Sequence, residues 1–309
     1  MAIPRGMSFT LTPQAALGLF FIQRYRFLTI DQFARAGGIA NRSTASDQLR
    51  FMERHELLSH FGNTGLAGHG KTPKVYFLTR KGWAVLTADS GIPADLIGSY
   101  RRVHVEAAWS PQMYHRLRTV DLMIAAEIAV RERPHLSMVN TFLEYRMVKR
   151  ARGVVERETA DYVADPPVSE NRIIPDAAFI IENIETGKRA LFFVEMDMAT
   201  ETIVNRITRD KRVTIYNKMV QYDRYLQSLR YNETYASFGE FRFFTLLFVT
   251  VQTERIENIR RSALDLPESL SQYYRLATYE RAMGDFLGPI WVSRNPTDTN
   301  LYPLVRGAS

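Results

Sequence analysis

Hydrophobic and polar positions along this chain follow two rhythms. In the segment "ALGLFFIQRYRFLTIDQFARAGGIANRSTASDQLRFMERHELLSHF" the apolar residues recur at helical spacing, in three pieces set off by their punctuation. The first piece covers residues 13–25. Thr29 then caps "IDQFARAGG", whose glycines end it, and Ser43 or Thr44 opens "ASDQLRFMERHELL". Leu49, Met52, Leu57 and Leu58 face inward, which leaves Arg42, Gln48, Arg50 and Arg54 to solvent or to a ligand. The pattern then shortens to period two in "KVYFLT", after a glycine-rich stretch, and returns to helical spacing from Lys81.

Three helices followed at once by a hairpin resemble a winged helix, with "YFLTRKGWAVL" as wing strand and exit helix. The resemblance implies a third helix in the major groove and a wing along a phosphate backbone. Arg42, Ser43, Thr44, Gln48, Arg50, Lys71 and Lys74 are then the candidate DNA contacts. Charge supports this. The chain carries a formal +7, and residues 1–90 hold eleven Lys/Arg against five acids, a net of +6. An anionic partner is expected at this end of the chain. A dimerisation or protein-docking winged helix would share the layout but not need the basic, glycine-rich wing.

Residues 91–112 are mixed in character and read as a linker. "SPQMYHRLRTVDLMIAAEIAVRERP" then predicts a long amphipathic helix ended by Pro134, carrying His115 and Glu127 about three turns apart. Strand rhythm dominates beyond Pro134. "PDAAFIIENIETGKRALFFVEMDMAT" reads as two strands joined by a turn, a hairpin whose second strand ends in Glu195 and Asp197. Alternation puts these two acids on one face, and pairing through the turn brings Asp176 toward them. Three converging carboxylates repel unless a cation lies among them, and oxygen-only ligands suit Mg²⁺ or Mn²⁺. A further helix is expected at about 206–229, opening with the basic cluster Arg206, Arg209, Lys211 and Arg212 and carrying Lys218, Tyr222 and Tyr225. "FRFFTLLFVTV", "SQYYRLATYERAM" and "PIWVSR" supply further strands, which put the strand at 190–195 in the middle of an α/β core. The end, "NPTDTNLYPLVRGAS", reads as a loosely held extension.

Pro-Asp followed about 20 residues later by Glu-x-Asp resembles the PD-(D/E)xK, restriction-endonuclease-like superfamily, with Asp176 as its first acid and Glu195 as its second. The lysine of that motif belongs where Asp197 stands. Lys218 or Lys211, on the next helix, is the substitute the resemblance allows, and Lys218 is preferred. "HRLRTVDL", "PDAAF", "VEMDMAT" and "KMVQYDRY", in that order after a winged helix, resemble the replication-relaxation family of plasmid and mobile-element proteins. That family's pattern maps onto His115, Glu195, Asp197, Thr200, Lys218 and Tyr222.

The expected fold is α/β (α+β): a winged helix over 1–90, a linker at 91–112, a nuclease-like domain with a central mixed sheet over 113–295 and an extension at 296–309. The expected function is that of a DNA-binding protein of a plasmid or mobile element. Its second domain would cut or nick DNA with Mg²⁺ or Mn²⁺ held by Asp176, Glu195 and Asp197. The alternative is a non-catalytic DNA-binding regulator whose second domain serves dimerisation or docking. Duplex DNA is the expected partner, with a second copy of the chain and replication or mobilisation proteins as further candidates. Absence of cysteine excludes thiolate catalysis and cysteine zinc sites. No run is apolar enough for a membrane span and no signal peptide is evident, so the cytoplasm is the expected location. Nor is there a phosphate-cradling glycine loop or a nucleophile triad motif.

Overall fold

The computed structural model describes residues 11–61, 65–66, 70–103, 111–150, 153–199, 202–203 and 214–305. The chain divides into two compact units, Met1–Val120 and Asp121–Ser309.

In the first unit, Thr12 caps α1 (Pro13–Tyr25), accepting from the Ala15 N–H at 3.2 Å. After β1 (Leu28–Thr29), α2 (Ile30–Ala36) begins with a capping box. Thr29 Oγ1 accepts from the Gln32 N–H, and the Gln32 side chain accepts from the Thr29 N–H. The opening of α3 (Arg42–Arg54) differs from the sequence expectation. Asn41, in extended conformation, is the cap, and its Oδ1 accepts from Ser43 N at 2.8 Å, so Ser43 and Thr44 lie inside the first turn.

Then follow β2 (Leu58–Phe61), β3 (Gly65–Leu66), β4 (Gly70–Lys71), β5 (Val75–Leu78), α4 (Arg80–Asp89), α5 (Ala94–Ile97) and α6 (Pro111–Arg131), whose residues from Asp121 on are counted with the second unit. Strands β1 and β2 flank β5, both antiparallel to it. Leu19, Ile22, Phe33, Leu49, Met52, Leu57 and Leu86 fill the core between this sheet and the helices. Gly82 fits because α4 crosses very close to the chain at Leu57; a Cβ there would lie 2.0 Å from the Leu57 carbonyl oxygen. Residues 94–103, read as linker, fold back onto the unit. Gln23 Nε2 donates to the carbonyls of Ile97 and Ser99, and Trp83 Nε1 to that of Gly98.

The second unit adds β6 (Leu136–Leu143), β7 (Met147–Lys149), β8 (Val155–Arg157), β9 (Asp161–Tyr162), β10 (Arg172–Ile173), β11 (Ala177–Asn183) and β12 (Lys188–Asp197). It continues with α7 (Ile215–Ser228), α8 (Tyr231–Thr234), β13 (Phe244–Thr250), α9 (Thr253–Ser262), β14 (Tyr274–Thr278) and α10 (Tyr279–Gly284). Its main sheet runs β14-β13-β12-β11-β6, with β12 in the middle as expected. The sheet is mixed: β12 is antiparallel to β11 and parallel to β13. The α/β class read from the sequence is the class observed.

Alternation along the strands sorts the two faces. Ile180, Leu191, Phe193, Leu246 and Phe248 share a core cluster with Ile215, Met219 and Tyr222 of α7 and Ile256 and Ile259 of α9. On the opposite face Phe179 and Phe192 stack with centroids 4.8 Å apart. The helix expected at 206–229 starts later, at Ile215, because Thr214 in extended conformation caps it by accepting from the Asn217 N–H, and it ends at Ser228; residues 204–213, and with them Arg206, Arg209, Lys211 and Arg212, lie outside the described residues.

The described part of the tail, up to Val305, is held firmly, against expectation. Trp291 and Tyr302 form a bridge, Arg260 Nη2 donates to the carbonyls of Asn295 and Asp298, and the Leu304 N–H bonds the Leu287 carbonyl at 3.1 Å. The side chain that anchors this segment, Arg294, is 1 % exposed. It forms a double hydrogen bond with Asp223 of α7 and stacks over the Tyr274 ring at 4.1 Å. A polar sequence hid an extension secured by buried charge. Among the described residues, no helix is long and apolar enough to cross a membrane.

Candidate functional site

The β11–β12 ladder pairs Ala177 with Val194, so one step further Asp176 stands opposite Glu195. Asp176 is fixed by its own backbone, whose N–H bonds the Val194 carbonyl at 3.0 Å, and its Oδ2 accepts from the Met196 N–H at 2.8 Å. Glu195 points to the face covered by α7. There Lys218 Nζ donates to Oε2 at 3.0 Å and the Tyr222 hydroxyl donates to Oε1 at 2.5 Å. Lys218 and Tyr222 are four apart on α7, hence one above the other on the same face.

Glu195 is 3 % exposed. Burial pushes its carboxyl up to about 7; the Lys218 charge pulls against this, and the Asp176 charge reinforces it. The Tyr222 hydroxyl is held well above its ordinary value, first by burial and then by the Glu195 charge. Tyr222 is therefore a neutral donor to the carboxylate.

Asp197 lies on the same face, two residues on, but in other company. Arg255, from the first turn of α9, donates through Nη2 to Oδ1 at 2.9 Å and through Nε to Oδ2. Thr250 Oγ1 also donates to Oδ2, at 3.0 Å, and the Ala199 N–H to Oδ1 at 3.1 Å. The pairing of Asp197 with Thr250 in the parallel ladder sets this up, because it brings the start of α9 beside the end of β12.

Glu195, Lys218 and Tyr222 also form part of the wall of a cavity of about 760 Å³ between α7 and the segment Ser169–Ile174.

In the first unit, α3 presents Arg42, Ser43, Thr44, Arg50 and Arg54 to solvent. Arg42 Nε pairs with Asp31 at 2.6 Å and Arg50 Nη1 with Asp47 at 3.6 Å. Both pairs are exposed and of the kind worth at most about 1 kcal/mol, so a phosphate could replace the acid. Gln48 is half-buried, its Nε2 donating to Gln14 Oε1 at 3.1 Å. Lys74 is half-buried ahead of β5. Lys71 ends β4, and its side chain lies outside the described residues.

A family model described as replication-relaxation matches residues 19–240, well over half of the chain. The chain belongs to the replication-relaxation family. Membership ties it to the replication and mobilisation of mobile elements. The matched span takes in Asp176, Glu195, Asp197, Lys218 and Tyr222 and ends before Arg255. No curated protein and no solved structure matches the chain.

The structure thus brings together Asp176, Glu195, Lys218 and Tyr222. Asp197 is close along the strand but committed to Arg255. Thr200 lies outside the described residues. His115 and Glu127 are half-buried on α6, twelve residues or about 18 Å of rise apart, with the division between the units falling between them.

A divalent cation of the Mg²⁺ type accepts one or two carboxylates and keeps its remaining waters, a demand that Asp176 and Glu195 can meet. Among the described residues each Glu195 oxygen has one partner and so retains a lone pair. Asp197 does not fit as a ligand, since both its oxygens are already engaged. Among the described residues no three His, Asp or Glu side chains form a metal-holding group. Arg255 escaped the sequence reading because its link to Asp197 spans 58 residues and depends on parallel pairing, which no local motif encodes.

Proposed function

We propose that the chain is a DNA-binding protein of a mobile element, in which a winged helix in the first unit holds a duplex and the second unit acts on a neighbouring phosphodiester. One observation carries this reading: Asp176, Glu195 and Lys218, distant in sequence, meet at one end of the β11–β12 hairpin, an arrangement the nuclease resemblance allows. Mg²⁺ or Mn²⁺, when bound, would supply a Lewis acid and an activated water. Asp176 and Glu195 would hold it. Lys218 would offer positive charge to the phosphate, and the neutral Tyr222 would keep Glu195 oriented. On the first unit, exposed Arg42, Arg50 and Arg54 on α3 support phosphate contact, with Ser43 and Thr44 as shorter donors.

Supercoiled and linear plasmid incubated with and without Mg²⁺ or Mn²⁺ test the reading, beside an Asp176→Ala variant and a gel shift on the same DNA. Metal-dependent nicking that the variant loses, with duplex binding retained, is expected. Cleavage that persists in the variant would overturn the assignment.

The Asp197–Arg255 pair favours a second reading. The position where the superfamily carries lysine here holds an acid used for packing, as expected of a regulator that keeps the fold and has lost the chemistry. That reading predicts salt-sensitive duplex binding and no turnover with any divalent metal.

A further inference from the structure

The cavity of about 760 Å³ beside Glu195 has the size of a small-molecule site and is too small for a duplex. Its floor is α7. Its other wall is the segment Ser169–Ile174, which includes β10.

Two arginines line it without an assigned partner. No hydrogen bond or ion pair joins the side chain of Arg172 or of Arg224 to another described residue, and Arg172 Nε is buried with no acceptor. Lys218 is matched by Glu195, which leaves the two arginines opposed by one exposed acid, Glu170. The surplus is cationic and suits a phosphate. A second orphan has the opposite polarity. Gln221 gives its Nε2 to the Glu170 carbonyl at 3.0 Å, while its Oε1 is buried without a donor among the described residues. A phosphate dianion cannot satisfy that acceptor, whereas the exocyclic amine of a nucleobase can. Ile173, Val220 and the Tyr222 ring supply apolar wall between these polar points.

We infer that this cavity is a subsite for one nucleotide of single-stranded DNA, its phosphate held by Arg172 and Arg224 and its base edge read at Gln221. The inference rests on the proposed function and deepens it. The substrate of the second unit is then a strand end or an unpaired nucleotide beside the Asp176–Glu195–Lys218 group, not a continuous duplex.

The test uses the full chain in EDTA, so that nothing is cut, and fluorescence anisotropy with a labelled twelve-nucleotide single strand and, separately, a labelled duplex. Arg224→Ala, at an exposed position, and Arg172→Met should each weaken single-strand binding about tenfold or more, the loss of one charge-assisted contact, and leave duplex affinity within about twofold. A thermal melt checks that both variants fold. Single-strand affinity unchanged in the folded Arg224→Ala variant overturns the inference. So does displacement of the strand by inorganic phosphate as readily as by a nucleoside monophosphate, which would leave an anion hole and no nucleotide site. If the parent fails to bind duplex yet binds single strands through these arginines, the duplex reading falls and the subsite stands.

Discussion

Arg255 of α9 and Asp197 of β12 form a buried, two-pronged ion pair, with the side chains 12 % and 1 % exposed. The pair joins the end of the central strand to the helix that follows its parallel neighbour. Removing one partner strands the other charge in the interior, which typically costs about 3–5 kcal/mol. Arg255→Ala should therefore destabilise the protein by that order in chemical denaturation. Asp197→Asn, which keeps shape and some hydrogen bonding, should cost less. Calorimetric titration with Mn²⁺ separates this role from metal binding: Asp176→Ala should abolish the heat, and Asp197→Asn should retain it. Heat lost equally in both would return Asp197 to the ligand set.

Glu195 makes stability fall as the medium becomes more alkaline. Its folded pKa of about 7 lies above the ordinary 4.5 because burial disfavours the charged form, so between these values the folded state holds a proton that the unfolded state has released. Stability from this group is undiminished below pH 4.5, declines from there to pH 7, and is flat above. Denaturation midpoints of Glu195→Gln across that range should lack the decline seen in the parent. Identical slopes would show that Glu195 is ionised throughout.

Arg294, Asp223 and Tyr274 form another buried polar cluster. The Tyr274 hydroxyl and the Arg294 guanidinium converge on Asp223 Oδ1, at 2.6 and 2.8 Å. Arg294→Met alone should cost about 3–5 kcal/mol, while adding Asp223→Asn should recover part of the loss, since the unpaired charge is then gone. Strict additivity in this double-mutant cycle would refute the coupling.

Most of this architecture was legible from alternation and punctuation. Thr29 was visible as a cap, the hairpin around residue 186 fixed the partnership of Asp176 with Glu195, and the four-residue spacing of Lys218 and Tyr222 put both on one helical face. What stayed hidden depends on long-range pairing. Arg255, Arg172 and the anchoring of residues 291–304 are set by which strands and segments become neighbours across tens of residues, and a polar local sequence gives no sign of that. Asn41 was missed for a smaller reason: three eligible capping residues stand within four positions, and backbone geometry chose among them.

Gly82 offers a check on the first unit. With a methyl group 2.0 Å from a carbonyl oxygen, Gly82→Ala forces α4 away from Leu57, and overpacking of this kind costs about 1–3 kcal/mol. Circular dichroism melts should show an earlier transition, and a gel shift near that temperature should lose duplex binding with it. An unshifted melt would mean that α4 yields easily.

Salt dependence tests the α3 surface. Arg50→Ala should lower duplex affinity for every sequence alike and reduce the slope of log K against log salt by about 1, the signature of one lost phosphate contact. An unchanged slope would take Arg50 off the DNA.

The Asp197–Arg255 pair also bears on how this chain could change over generations. Placing lysine at 197, where the common nuclease motif has it, would set two buried cations face to face. A lysine there would leave the Arg255 guanidinium without its carboxylate, so the exchange is accommodated only if Arg255 changes as well.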